Sequence, residues 1–220
     1  MLLAVDSSTQ WMGLALYDGS ITLSQMTWRS HHTHTIDLTS AIEQILARNN
    51  VKAADLSAIG VALGPGSYTS LRVGLAVVKG IALGRKIPVL GVPTLDYLVY
   101  PISADRRPVI GILTAGRGRY TFSKYRYQRE RWVSQEEPAL ATVSEIAAMI
   151  QEETIVCGEI SDEIRTYFKQ FCPSAFILSP ARCSRYPAFL AEIAWQRYKL
   201  GQKDDAATLA PIYPRTEKVL

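Results

Sequence analysis

Short apolar runs alternate with turn residues from the first position of the chain. Residues 2–6 are apolar up to Asp6, and the polar stretch Ser7-Ser8-Thr9-Gln10 interrupts them. Met12-Gly13-Leu14-Ala15-Leu16-Tyr17 reads as a second strand, Asp18-Gly19 as a tight hairpin turn, and Ile21 to Trp28 as a third strand. The period then changes. Leu38, Ile42, Ile45 and Leu46 recur at helical spacing and predict a helix over 35–49, with Asn49-Asn50 as its stop. Ala58 to Leu63 is a short buried strand that must end at Gly64-Pro65-Gly66, and Ser67 or Thr69 can cap the helix that follows. That helix should run to about Gly84, with Pro88 and a strand from Val89 to Val92 after it.

The polar, proline-flanked segment from Pro101 to Pro108 marks the expected boundary between a first lobe, 1–102, and a second, 103–220. Strands are predicted over Val109 to Thr114, Arg119 to Arg126, Arg131 to Gln135 and Thr154 to Cys157. Helices are predicted over 143–152, 161–170 and 187–200, and the last helix and tail are expected to pack back on the first lobe. A meander followed by alternating helix and strand, done twice, predicts a two-lobed α/β architecture with a mixed sheet flanked by helices in each lobe. No sequence repeat links the halves.

The helix over 69–84 is apolar nearly all round. Leu71, Val73, Leu75, Val77, Val78, Ile81, Ala82 and Leu83 leave Arg72 and Lys79 as its polar line, and Gly74, Ala76 and Gly80 permit close approach of another helix. Such a helix is covered on several sides, by its own domain or by a partner. The loop before it, Gly64 to Thr69, offers backbone N–H groups near a helix start, where an anion can sit. No Lys-Ser or Lys-Thr follows its glycines at Walker A spacing, so the plainer reading is a capped strand-to-helix turn.

Composition narrows the classes. The 220 residues are 48% hydrophobic and 20% charged, a balance that builds an ordinary core and excludes disorder. The net charge of +4 is a mild basic excess. No signal-peptide pattern and no spanning apolar run is present, and Cys157, Cys172 and Cys183 form no Cys-x-x-Cys pair. The expectation is a reduced cytosolic chain with no bound metal or cofactor.

Asp6 with Ser7, Ser8 and Thr9 is the kind of acid-and-hydroxyl turn with which actin-like ATPases hold metal and phosphate, and also a common turn composition. His31, His32 and His34 lie just before a helix, and Asp37 is the one acid near them, which favours a capping or surface role over a metal site. Ser67 lies in no nucleophile elbow. From Arg117 to Trp132 basic and aromatic residues interleave: Arg117, Arg119, Tyr120, Lys124, Tyr125, Arg126, Tyr127, Arg129, Arg131 and Trp132. A hairpin of this kind can stack on bases and touch phosphates. The alternation also fits an edge hairpin whose charges guard it against aggregation, which is the simpler account.

Leu3-Ala4-Val5-Asp6-Ser7-Ser8-Thr9, the run from Gly64-Pro65-Gly66-Ser67-Tyr68-Thr69 through Ser70-Leu71-Arg72-Val73-Gly74, Pro88-Val89-Leu90-Gly91-Val92 and the closing Leu209-Ala210-Pro211-Ile212-Tyr213-Pro214-Arg215 resemble the TsaB (YeaZ) family. The likeness runs over nearly the whole chain, with Ser70 where the family usually has Gly. It implies an actin-like (ASKHA) fold and a part in making N6-threonylcarbamoyladenosine at position 37 of tRNAs that read ANN codons. It implies a scaffold that pairs with the catalytic subunit TsaD, is joined by the ATPase TsaE, pairs with itself when alone and meets tRNA through the complex. The contact would be made by the amino-terminal helices, with Leu38, Ile42, Leu71, Gly74, Leu75, Val77, Val78 and Ile81.

Where the catalytic relative carries a metal-binding His-x-x-x-His, this chain aligns Thr94 and Leu98. Where the family often shows Asp-Ala-Arg after the first strand of the second lobe, this chain has Thr114-Ala115-Gly116. Both departures argue against catalysis by this chain, since leucine offers no metal ligand. Two other readings stay open: a small actin-fold kinase or ATPase using the Asp6 turn, and, with less in its favour, a glycoprotease-type peptidase.

Overall fold

The computed structural model describes residues 1–30 and 34–215, the side chains of residues 34–36 excepted. The chain forms two compact units. One comprises Met1–Thr94 and Tyr186–Ile212, the other Leu95–Arg185 together with residues 213–215. The proline-flanked segment 101–108 belongs to the second unit.

In the first unit, β1 (Leu2–Asp6), β2 (Trp11–Tyr17) and β3 (Thr22–Arg29) form the antiparallel meander, and β4 (Ala58–Ala62) and β5 (Val89–Val92) add parallel to β1. The sheet order is β3-β2-β1-β4-β5. The period of two in these strands puts large apolar residues on one face and, in the middle of the strands, small ones on the other. One face carries Leu3, Val5, Met12, Leu14, Leu16, Ile59 and Val61, and forms a core with Leu38, Ile42 and Ile45 of α1 (His34–Arg48) and Leu75, Val78 and Ala82 of α2 (Tyr68–Arg85). Each fully buried Leu, Ile or Val here contributes about 1.5–3 kcal/mol.

The other face carries Ala4, Gly13, Ala15 and Gly60, and a helix near the end of the chain, Pro187–Lys199, lies close against it. A Cβ on Gly13 would stand 2.5 Å from Pro187 Cγ, and one on Gly60 would stand 2.7 Å from Ala194 Cβ. Small residues are therefore a condition of that approach. Beyond this helix the tail runs back along β5. Asp204 donates its N–H to Val89 O at 2.9 Å, and its carboxylate accepts from Gly91 N at 2.6 Å and from both terminal nitrogens of Arg197 at 2.9 and 3.1 Å. Ile212 N then donates to Leu63 O at 2.7 Å. The outer edge of β5 is thus covered rather than left open.

The second unit repeats the plan. After α3 (Thr94–Val99) come β6 (Val109–Gly116), β7 (Arg119–Gln128), β8 (Arg131–Ser134) and the short β9 (Ala139–Thr142). Then follow α4 (Val143–Ala148), β10 (Thr154–Gly158), α5 (Asp162–Phe171) and β11 (Ala175–Ile177), and α6 is the Pro187–Lys199 helix of the first unit. The sheet order is β11-β10-β6-β7-β8, with β9 added on β7. Setting β9 aside and reading from β8, this is again third, second, first, fourth, fifth in chain order, with the same antiparallel and parallel pairings. Two mixed sheets of one topology, each flanked by helices, make the two-lobed actin-like architecture. Leu95, Leu98 and Val99 of α3 cover one face of the second sheet, and Ile146, Ile164 and Phe168 of α4 and α5 cover the other. Among the described residues no helix is long and apolar enough to cross a membrane.

The helix expected over 143–152 is shorter, ending at Ala148. It starts on a capping box, with Thr142 Oγ1 accepting from Glu145 N and the Glu145 carboxylate accepting from Thr142 N.

Candidate functional site

The acid-and-hydroxyl turn after β1 is buried: Asp6, Ser7, Ser8 and Thr9 are each at most 5% exposed. Burial on this scale requires partners for every polar group. Asp6 Oδ1 accepts from Ser8 N at 2.8 Å and Ser8 Oγ at 2.5 Å, and Thr9 Oγ1 accepts from Trp11 N at 3.1 Å. Two further bonds leave the turn. Ser7 Oγ donates to Ser70 O at 2.9 Å, and Ser8 O accepts from Ser67 N at 2.7 Å. Both reach the loop and helix after β4, so the turn and the Gly64–Thr69 loop form one interlocked unit.

That loop is built for close approach. Its Gly64–Pro65 bond is cis, and Gly64 has φ +100°, a conformation that side chains rarely adopt. A Cβ on Gly66 would stand 2.0 Å from Ser8 O. Ser67 caps α2, its Oγ accepting from Ser70 N at 3.4 Å and Ser70 Oγ at 3.0 Å. Arg72 lies over the Tyr68 ring, 3.9 Å from its centroid, on the exposed side of the first turn. The arrangement sets where α2 begins and how it points. The polar groups of Asp6, Ser7 and Ser8 hold the chain to itself.

Thr94 and Leu98 are both buried. Thr94 exchanges two bonds with the loop, its N–H donating to Gly64 O at 2.7 Å and its Oγ1 accepting from Gly64 N at 3.0 Å. Leu98 is a core residue of the second unit.

The eight candidate contact residues divide. Leu38, Leu71, Gly74, Leu75 and Val78 are buried within their own unit, and Ile42 is 5% exposed. Val77 and Ile81 are half-buried, while Ala76, Gly80 and Leu83 are exposed, Leu83 at 81%. Ile42 and Leu46 of α1 with Ala76, Val77, Gly80 and Ile81 of α2 line a groove of about 450 Å³ between the two helices. Thr39 and Glu43 are its polar lining residues.

The second unit holds a polar cluster that its sequence gave no sign of. Glu159, just past β10, accepts from Thr114 N at 3.0 Å and pairs with Arg185 at 2.7 Å. Arg185 is 7% exposed and also donates to the hydroxyl of the fully buried Tyr97 at 3.2 Å. These residues are 26 and 88 positions apart, which no local pattern reveals. A second such pair joins Tyr125 OH to Asp96 Oδ1 at 2.8 Å, and burial pushes the Asp96 carboxyl up against the smaller, opposite effect of that bond. Among the described residues no three His, Cys, Asp or Glu side chains converge to hold a metal. His31 and His32, and the side chain of His34, lie outside the described residues.

The sequence model of the family described as tRNA N6-adenosine threonylcarbamoyltransferase matches residues 24–200. The TsaB protein of Escherichia coli (strain K12), named a tRNA threonylcarbamoyladenosine biosynthesis protein, is 33% identical over 95 residues, 43% of this chain and 40% of that protein. The Bacillus subtilis (strain 168) protein of the same name is 30% identical over 131 residues, 58% and 56% of the two chains. The chain spans about half the length of these curated relatives. The solved structure of YeaZ from Pseudomonas aeruginosa superposes with a TM-score of 0.79 at 21% identity, covering 96% of this chain and 98% of that one, which is a likeness of fold. Family match and fold agree, and the chain belongs to the tRNA N6-adenosine threonylcarbamoyltransferase family, on its TsaB (YeaZ) branch.

Proposed function

We propose that this chain is a non-catalytic subunit of the machinery that transfers a threonylcarbamoyl group to adenosine 37 of ANN-decoding tRNAs. It pairs with a TsaD-type catalytic subunit, is joined by a TsaE-type ATPase, and acts in the cytoplasm. The observation that carries the reading is the apolar groove between α1 and α2, with Ile42, Leu46, Val77 and Ile81 in its lining and Leu83 exposed beside it. An apolar helix face of this kind is what a partner helix covers. The buried turn at Asp6 and the loop at Gly64 support it by fixing the start of the helix that presents the face. In the absence of the catalytic subunit a second copy of the chain would cover the same groove.

The absence of catalysis is supported by Thr94 and Leu98. Leu98 has no donor atom for a metal, and Thr94 Oγ1 already accepts from Gly64 N. A kinase or ATPase at Asp6 has less support, because the groups that would face metal and phosphate are bonded within the chain.

The test is mixing with a TsaD-type subunit, size-exclusion chromatography, and a tRNA-modification assay containing TsaC- and TsaE-type proteins. Co-elution, with modification dependent on this chain, is the expected result. No complex and no dependence would overturn the proposal.

A further inference from the structure

Residues 116–131 carry six Lys or Arg and one Glu, a surplus of five positive charges. The whole chain has 24 Lys and Arg against 20 Asp and Glu, a surplus of four. The excess in residues 116–131 is divided between the two ends of β7: Arg117 and Arg119 stand at the β6–β7 turn, and Arg126, Arg129 and Arg131, against Glu130, stand on the β7–β8 hairpin.

The hairpin is more than a charged sheet edge. β6 pairs with β7 only as far as Tyr125, opposite Val109, whereas β7 and β8 stay paired through Tyr127↔Trp132 and Gln128↔Arg131. Residues 126–128 and 131–133 thus extend past β6 as a two-stranded arm. Lys124 and Arg126 share the single carboxylate of Glu152. Among the described residues no carboxylate pairs with Arg117, Arg129 or Arg131, and all three are exposed. The alternation of the strands separates the chemistry. Arg126, Gln128 and Arg131 share one face of the arm, and Tyr127 and Trp132 share the other.

The tip departs from the usual turn chemistry. Arg129 and Glu130 have φ of 49° and 64°, and two-residue turns of this kind normally take Asn or Gly. Here side chains stand where the backbone favours having almost none, and one of them is the exposed Arg129. Trp132 is anchored, its indole N–H donating to Ile102 O at 2.8 Å, and Tyr127 packs edge-on against it with centroids 5.3 Å apart. Tyr127 is 37% exposed, a ring held still with a surface turned to solvent.

We propose that the β7–β8 arm is an RNA-contact element. Arg129 and Arg131 bind backbone phosphates and Tyr127 offers its ring to an unstacked base. Guarding an edge against aggregation needs one or two charges, not three Arg gathered beside an anchored aromatic pair on an overhanging arm. A phosphate chain beside bases is the partner that uses both cations and an exposed ring. The choice of RNA rests on the tRNA reading above.

The probe is an unmodified transcript of an ANN-decoding tRNA, titrated with the full chain at several salt concentrations and read by fluorescence anisotropy. An Arg129→Gly, Arg131→Gln double variant should bind about tenfold more weakly, with the slope of log K against log salt reduced by about two. Glycine at 129 relieves the backbone, so the melting temperature should hold. Tyr127→Leu should weaken binding about fivefold with the slope unchanged, since stacking releases no counterions. Unchanged affinity and slope in the double variant would overturn the proposal, as would equal affinity for duplex DNA of the same length or a preference for anionic vesicles. These readouts use the isolated chain. A wild-type chain that bound the transcript through the arm but failed to co-elute with a TsaD-type subunit would sink the partner reading alone.

Discussion

The hydroxyl of Ser7 stands where a side chain on Gly74 would have to be: a Cβ at position 74 would lie 2.0 Å from Ser7 Oγ. That hydroxyl donates to Ser70 O one turn earlier in α2, so turn and helix are pinned at two successive levels. Helix propensity alone says that alanine at 74 should stabilise α2 by about 1 kcal/mol. The contact says the reverse, because overpacking of this kind costs about 1–3 kcal/mol. Gly74→Ala should therefore lower the urea midpoint, and a raised midpoint would show that the turn yields.

Gly80 is the opposite case on the same helix. A Cβ there would meet nothing within 4 Å, and the residue lines the α1–α2 groove. Gly80→Ala should raise the stability of the isolated chain by about 0.5–1 kcal/mol and weaken association with a TsaD-type subunit. Stability and association measured on one preparation separate the two effects.

Val77→Glu sets a charge into the apolar groove and should abolish co-elution while the circular dichroism spectrum and melting temperature of the isolated chain change little, since Val77 is only half-buried. Retained co-elution would mean that the partner face lies elsewhere.

Asp96 is held as a carboxyl whose pKa is raised above 3.8 by burial. The folded chain keeps this proton where the unfolded chain has lost it, so the stability it brings is present below the ordinary carboxylate range and is lost as pH rises through the raised value. Asp96→Asn retains an acceptor for Tyr125 OH and removes the titration. The variant should melt higher than wild type at neutral pH, and the gap should close in acid.

Asp204 behaves with the opposite sign. Burial alone would raise its pKa, but Arg197 and the Gly91 N–H outweigh burial and hold it below 3.8. Its contribution is present above the unfolded pKa and disappears as pH falls through the lower, folded value. Asp204→Asn should cost about 1 kcal/mol at neutral pH, the pair being partly exposed, and nothing in strong acid. Thermal melts across pH check the trend.

The meander, the hairpin turn at Asp18-Gly19 and the bounds of α1 and α2 were legible because each rests on local chemistry: alternation, a turn dipeptide, a Ser cap. The three residues of β11 and the six of α3 are too short to show a period. The common strand order of the two units is legible only in the sheets, since pairing across 40 or more residues leaves no trace in neighbouring positions. α2 reads as apolar all round, and the structure divides it. Leu71, Leu75, Val78 and Ala82 turn inward at helical spacing, and Ala76, Gly80 and Leu83 turn outward. Composition could not make that division because both sides are apolar. Among the candidate site residues, Asp6 and Ser7 stood out in the sequence as chemistry; the bond of Asp6 to Ser8 is local, but that of Ser7 to Ser70, 63 positions on, comes from a close approach that only the fold creates.

The helix that closes the small-residue face of the first sheet comes from residues 187–199, almost 100 positions after β5. At the usual pace of translation, about 5–20 residues per second, the ribosome needs about 5–20 s to deliver it. Throughout that time the amino-terminal strands can pair while their Ala4, Gly13, Ala15 and Gly60 side still faces water, and the continuous segment 95–185 is complete before the first unit can be. The strands made first thus wait longest for the helix that covers them, and that face of the nascent chain stays open to chaperones until α6 emerges.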